Sequence, residues 1–323
     1  MNQPHASGRA LHTRQYFYVG GRYVPHGTGE ISHGQLYVER LTPARVTRST
    51  PILFVFIVDQ PARGRSPWHS SVDGGTSIFT TDKVESLITA TARHGNWPQA
   101  SLHGQWPGSG TKGDPVFDAF YRSLVPSLTS TAETSELMKA AGSELLDKIG
   151  PVVVLTHSQS GGFGWILADA RPGLVKAIVA LEPNGPPFQN AVTMTNPVRI
   201  YGLTDLPLTF DPPISSASDL GPVVLQQGEG RTYFQQTRPP RRLVHLAQVP
   251  VLLVTSESGY HAVYDEFTVQ FLEEAGVSVA HIRLEDVGIH GNGHMLFMEL
   301  NSDQIADEVV EPWIRHAIAS GSE

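Results

Sequence analysis

The chain has 323 residues, 40% of them hydrophobic, enough for a full-sized core in one large α/β domain. Its 31 acidic and 23 basic residues give a formal net charge of -8 with no Lys/Arg cluster, which argues against nucleic acid or an anionic membrane as partner. The lack of cysteine excludes disulfides, thiolate metal sites and a cysteine nucleophile. The first residues lack the apolar core of a signal peptide, and no apolar run approaches the roughly 20 residues of a membrane span, so a cytoplasmic protein is expected.

In chain order, residues 15–41 read as β structure. Tyr16-Phe17-Tyr18-Val19 meets a predicted turn at Gly20-Gly21, then come Arg22-Tyr23-Val24 and Gln35-Leu36-Tyr37-Val38, an N-terminal hairpin. Pro51-Ile52-Leu53-Phe54-Val55-Phe56-Ile57-Val58 reads as a strand buried on both faces, ending in the loop Asp59-Gln60-Pro61-Ala62-Arg63-Gly64-Arg65-Ser66. Helical periodicity follows over 83–94, 116–124 and 133–149. A strand at 152–155, a helix at 161–170 stopped by Arg171-Pro172-Gly173, and a strand at 175–181 come next. Residues 184–241, rich in Pro, Gly and Ser, read as a cap insertion whose Tyr201, Phe210, Tyr233 and Phe234 either line a pocket or pack the cap onto the core. Then follow a strand at 249–255, a helix at 261–275, a strand at 277–284 and a last helix at 302–319. Strands alternating with helices predict one domain over 1–323, with a mostly parallel sheet covered by helices on both faces.

The chemistry concentrates at Thr156-His157-Ser158-Gln159-Ser160-Gly161-Gly162, where an apolar β-branched strand breaks into a small polar turn and a helix. That is the setting of a nucleophile elbow, which lifts a serine above the sheet within reach of a histidine. Ser158 is the candidate nucleophile. The two glycine positions of the Gly-x-Ser-x-Gly pattern hold Thr156 and Ser160, and Gly161 stands one place later. A second frame centres on Ser160, but His157 before Ser158 and Gly161 three after it favour Ser158. Either serine could instead serve as the N-cap of the helix.

His294 lies in Val287-Gly288-Ile289-His290-Gly291-Asn292-Gly293-His294-Met295, between the last strand and the last helix. That is the place of the base when the chain order is Ser, acid, His. His290 competes with it. Their spacing would suit zinc on a helix, which Gly291 and Gly293 argue against, so no metal or cofactor is expected. For the acid, the loop after the strand at 249–255 offers Glu257. One strand earlier, Ala177-Ile178-Val179-Ala180-Leu181 runs into Glu182-Pro183-Asn184-Gly185, which puts Glu182 at the carboxyl end of a strand, facing the crevice. Glu182 is preferred and Glu257 is the reserve.

These three pieces, with Tyr18-Val19-Gly20-Gly21-Arg22-Tyr23, Tyr37-Val38-Glu39-Arg40-Leu41-Thr42-Pro43-Ala44 and the 59–66 loop, resemble a bacterial-esterase-like branch of the α/β-hydrolase family over nearly the whole chain. The resemblance implies a Ser158–Glu182–His294 triad with the acid after strand six, an acyl-enzyme, and the Gln159 N–H as oxyanion donor. It also implies a long segment between strands three and four, carrying a His-Gly-Gly-type oxyanion loop and the first helix of the sheet. Residues 51–60 instead join the start of strand three to the end of strand four, as a splice variant or a mis-joined gene model would. His26-Gly27, His33-Gly34 and His103-Gly104 do not replace that loop. The expected activity is hydrolysis of a small carboxylic ester, by a monomer or homodimer. The rival expectations are an impaired or non-catalytic protein without a complete oxyanion hole, or a lyase or isomerase on the same fold.

Overall fold

The computed structural model describes residues 11–44, 56–192, 196–228 and 230–320. Its centre is a four-stranded parallel sheet. In chain order the strands are β4 (Val152–Ser158), β5 (Val175–Pro183), β8 (Val251–Thr255) and β9 (Val279–Arg283), and in space they lie β9-β8-β5-β4. Alternate residues point to opposite faces, as strand geometry requires. Val152, Val154, Ile178, Ala180 and Val251 pack with Trp165 and Leu167 of α3 (Gly161–Ala170) and Phe271 and Leu272 of α4 (Asp265–Glu274). Val153, Ala177, Val179, Leu181, Leu252 and Val254 pack with Ile305, Val309 and Ile314 of the C-terminal helical run, which ends in α5 (Glu311–Ser320). Each fully buried Val, Leu, Ile or Phe side chain among these contributes about 1.5–3 kcal/mol. Helices therefore cover both faces, and the α/β-hydrolase architecture expected from the sequence is present.

The N-terminal region forms a separate three-stranded antiparallel sheet of β1 (His12–His26), β2 (Gly29–Pro43) and β3 (Phe56–Asp59). The hairpin turn is not at Gly20-Gly21. β1 runs through both glycines and turns at Gly27-Thr28, with His26 paired to Gly29. Gly20 has φ +70°, and a Cβ there would come within 2.7 Å of Ala141 Cα. The glycine pair thus bends the strand against α2 (Thr131–Ile149) instead of reversing it. Leu36 and Val38 pack on the same helix, against Met138, Ala141 and Leu145.

Of the apolar run at 51–58, residues 51–55 lie outside the described residues. The rest is one strand, but it is not buried on both faces. β3 pairs antiparallel with β2, and Ile57 is 39% exposed. Among the described residues β3 does not join the parallel sheet, and β4 pairs on one side only, with β5. Between the two open edges lies a cavity of about 580 Å³, lined by Ile57 and Val58 on one side and Val154, Leu155 and Thr156 on the other, with Met138, Phe163 and Leu167 also in its wall.

The helical expectations hold at α1 (Pro115–Ser123), α2 and α3. The segment expected over 83–94 is broken. A short turn at Thr81–Val84 widens into a π turn at Glu85–Thr89, and Ala90, at φ -134°, separates it from Thr91–His94. The C-terminal run likewise holds a π turn, Ala306–Val310. In the segment 184–241, β6 (Val223–Gly228) and β7 (Arg231–Gln235) form a hairpin. Its aromatic residues pack rather than line the cavity described above: Phe210 is in the core with Tyr201 and Phe234 against it, and Tyr233 stacks on Phe267.

Candidate active site

The sharp end of β4 sets the geometry. Ser158 has φ +53°, a conformation that side-chain-bearing residues rarely adopt, and α3 starts three residues later. The turn is closed by Ser160, whose hydroxyl donates to His157 O at 2.7 Å and accepts from His157 N at 2.8 Å. Asn184 N donates to Ser158 O at 2.9 Å, tying the elbow to the end of β5. Gly161 is required by that closeness, since a Cβ would lie 2.5 Å from Pro183 Cβ. Ser160 sits at the N-cap position of α3 without a capping bond from its side chain. Ser160 is thus the fastener of the turn, and the hydroxyl that faces the histidine is that of Ser158.

His294 Nε2 lies 2.9 Å from Ser158 Oγ, and its Nδ1 lies 2.6 Å from Glu182 Oε2. Nδ1–H donates to the carboxylate, which leaves Nε2 as acceptor for the serine proton. Glu182 is fully buried, has φ +42°, and accepts through its other oxygen from Ser256 N at 2.9 Å and from the Ser256 hydroxyl. Burial raises the Glu182 carboxyl to about 7, against the opposing pull of His261 and of the Ser256 donors. Burial, and secondly His261, hold His294 well below the usual imidazole value. His294 is therefore neutral near pH 7, as a base must be.

The loop around His294 is fixed by buried polar bonds. His157 Nε2 donates to His294 O at 2.8 Å, Asn292 O accepts from Ser258 N and Oγ, and Gly293 N donates to the buried Glu299 carboxylate. His261 stacks on His294 with centroids 4.9 Å apart and planes 5° apart, its Nδ1 on Asp265 and its Nε2 on the Tyr264 hydroxyl. Glu182, His261 and His294 have potential ligand atoms within 4.8 Å of one another, but the ring nitrogens are all engaged in the bonds just described. A cation would have to break them, so these residues suit proton transfer better than metal binding.

The two reserve residues are placed elsewhere. His290 Nδ1 pairs with Glu257 Oε1 at 3.0 Å, with the His290 side chain 62% exposed. Gln159 follows Ser158 in the turn, and its Oε1 accepts from Arg63 Nη1 at 3.2 Å and Gln60 Nε2 at 3.5 Å, the link from the N-terminal sheet to the elbow. Sequence reasoning missed Ser256 and Tyr260. Both stand in the loop after β8, where a carboxylate was sought. Tyr260 places its hydroxyl 3.1 Å from His294 Nε2. The available signal was position alone, at the carboxyl end of a parallel strand.

No family model matches the chain. It is 39% identical over 334 aligned positions to the probable secreted lipase phiG of Fungal sp. (strain ATCC 74256), covering 93% of this chain and 89% of that protein. That alignment is longer than the whole 323-residue chain, so the relative carries residues with no counterpart here. The structure resembles that of a bacterial esterase with a TM-score of 0.58 at 19% identity, over 98% of this chain and 99% of that one. The expected cytoplasmic location finds no support in the fungal relative, whose name includes "secreted". Among the described residues no helix is long and apolar enough to cross a membrane. With this identity sustained over nearly its full length, the chain belongs to the family of that lipase, on an α/β-hydrolase fold.

Proposed function

We propose that the protein hydrolyses carboxylic esters through an acyl-enzyme on Ser158. The observation that carries this reading is the continuous chain of bonds from Ser158 Oγ through His294 to the buried Glu182. In acylation, Ser158 Oγ bonds to the ester carbonyl carbon while its proton passes to His294 Nε2. Glu182 stabilises the imidazolium through Nδ1–H, and the Gln159 N–H receives the charge that develops on the carbonyl oxygen. The C–O bond to the alcohol then breaks, and the departing oxygen takes the proton from Nε2. Water reverses the sequence on the acyl-enzyme and frees the acid. No cofactor enters the scheme, and the substrate class is a small-molecule ester.

Burst kinetics with p-nitrophenyl acetate test the reading. A stoichiometric burst followed by turnover, absent in Ser158→Ala, is the expected result. A folded wild type that gives neither burst nor turnover would instead favour the impaired protein. Turnover without uptake of solvent oxygen into the product would favour a lyase or isomerase.

A further inference from the structure

Tyr260 is the one hydroxyl besides Ser158 within hydrogen-bond distance of His294 Nε2 among the described contacts of that ring. We propose that Tyr260 is a catalytic residue whose O–H donates a hydrogen bond to the leaving-group oxygen of the ester. The proposal rests on the ester-hydrolase reading above and adds a role that the triad does not fill.

The geometry decides which oxygen the phenol serves. The leaving oxygen must come within about 2.6–3.2 Å of Nε2 to take its proton. Tyr260 stands at 3.1 Å from that nitrogen, beside Ser158 Oγ at 2.9 Å from the same atom. The leaving oxygen and the phenol therefore share the space in front of Nε2. The oxyanion, by contrast, is received by the backbone of the elbow. In the resting site both Ser158 O–H and Tyr260 O–H converge on a single Nε2 lone pair. Once Nε2 carries the serine proton it can no longer accept from the phenol, which is then free to donate to the alkoxide forming beside it. As the C–O bond breaks, the His294 proton goes to that oxygen and Tyr260 keeps its own.

Three features suit the residue to this task. Its ring is held edge-on to Trp97, with centroids 5.9 Å apart, and packs at 4.7 Å from the His294 ring, so the hydroxyl has a fixed aim. Trp97 is itself fixed by Nε1 donating to Ser258 O at 3.0 Å. Burial pushes the phenol above its ordinary value, so it stays a donor throughout the working pH range. Tyr260 is also only partly buried, as is Ser158.

The test is Tyr260→Phe, which keeps the ring, measured with acetate esters of graded leaving-group acidity from p-nitrophenol to ethanol. Labelling by a fluorophosphonate serves as an independent readout of the assembled triad. The expected result is near-normal labelling, less than about threefold loss on the p-nitrophenyl ester, and about a hundredfold loss on the alkyl ester, where the departing oxygen carries most charge. An equal loss across the series would mean that the hydroxyl merely positions His294, and no loss on any ester would mean that the hydroxyl is idle. Either result overturns the proposal. A wild type that neither labels nor hydrolyses any ester would instead overturn the underlying reading, and this inference with it.

Discussion

The two sheets of this protein are built to different standards. The parallel sheet is closed on both faces by helices, and its central strands β5 and β8 are paired on both sides. The antiparallel N-terminal sheet is a long hairpin with one short added strand. Tyr16 and Tyr23 are 71% and 75% exposed, and an apolar cavity separates its last strand from β4. All three residues of the proposed triad come from the closed half. The open half touches the elbow through Gln60 and Arg63, which hold the side chain of Gln159. The proposed triad can therefore be fully assembled while the surface beside the proposed oxyanion donor is loosely supported.

The largest effects should come from the closed half. Ser158→Ala should lower ester hydrolysis by about 10⁵-fold or more with little change in melting temperature, measured by steady-state rates beside thermal denaturation. Glu182→Gln keeps the shape but loses the charge that stabilises the imidazolium, and a loss of about 10⁴-fold in kcat is expected. The same carboxyl sets the pH dependence. Its value, raised to about 7, means that activity is lost as pH falls through that value and reaches a plateau above it. A profile of kcat/KM that stays flat down to pH 5 would contradict the role given to Glu182.

A matched pair of substitutions sharpens the contrast between the halves. Val179 is fully buried in the closed sheet, whereas Val58 is half-buried beside the cavity. Val179→Ala should cost about 2 kcal/mol and Val58→Ala less than about 1 kcal/mol by denaturant unfolding, since the second side chain already lacks neighbours on one side. Equal costs would mean that the seam is as tightly packed as the core. The smallest effect is expected at the exposed His290–Glu257 pair, where His290→Ala should change activity less than about twofold and stability by less than about 0.5 kcal/mol.

The sequence made the closed half legible because its signals are local. The run from Val152 to Leu155, the crowded turn at Ser158 and the glycines around His294 each report a strand end or a tight loop within a few residues. Glu182 could be preferred over Glu257 from its place at a strand terminus. The sequence misled at Gly20-Gly21, where a glycine pair that usually marks a turn serves a close approach between strand and helix. It was silent on Ser256, Tyr260 and His261. Their contacts with Glu182 and His294 join positions 33 to 74 residues apart in the chain, and no local pattern records them. The separation of β3 from β4 is likewise a property of pairing between distant segments.

The most direct test of the central claim is intact-mass and peptide mapping after reaction with a fluorophosphonate, for wild type, Ser158→Ala and Ser160→Ala. The account predicts one adduct on wild type, mapped to Ser158, none on Ser158→Ala, and retained though slowed labelling on Ser160→Ala, where the turn loses its fastener but not its nucleophile. An adduct mapped to Ser160, or labelling that survives in Ser158→Ala, would contradict it.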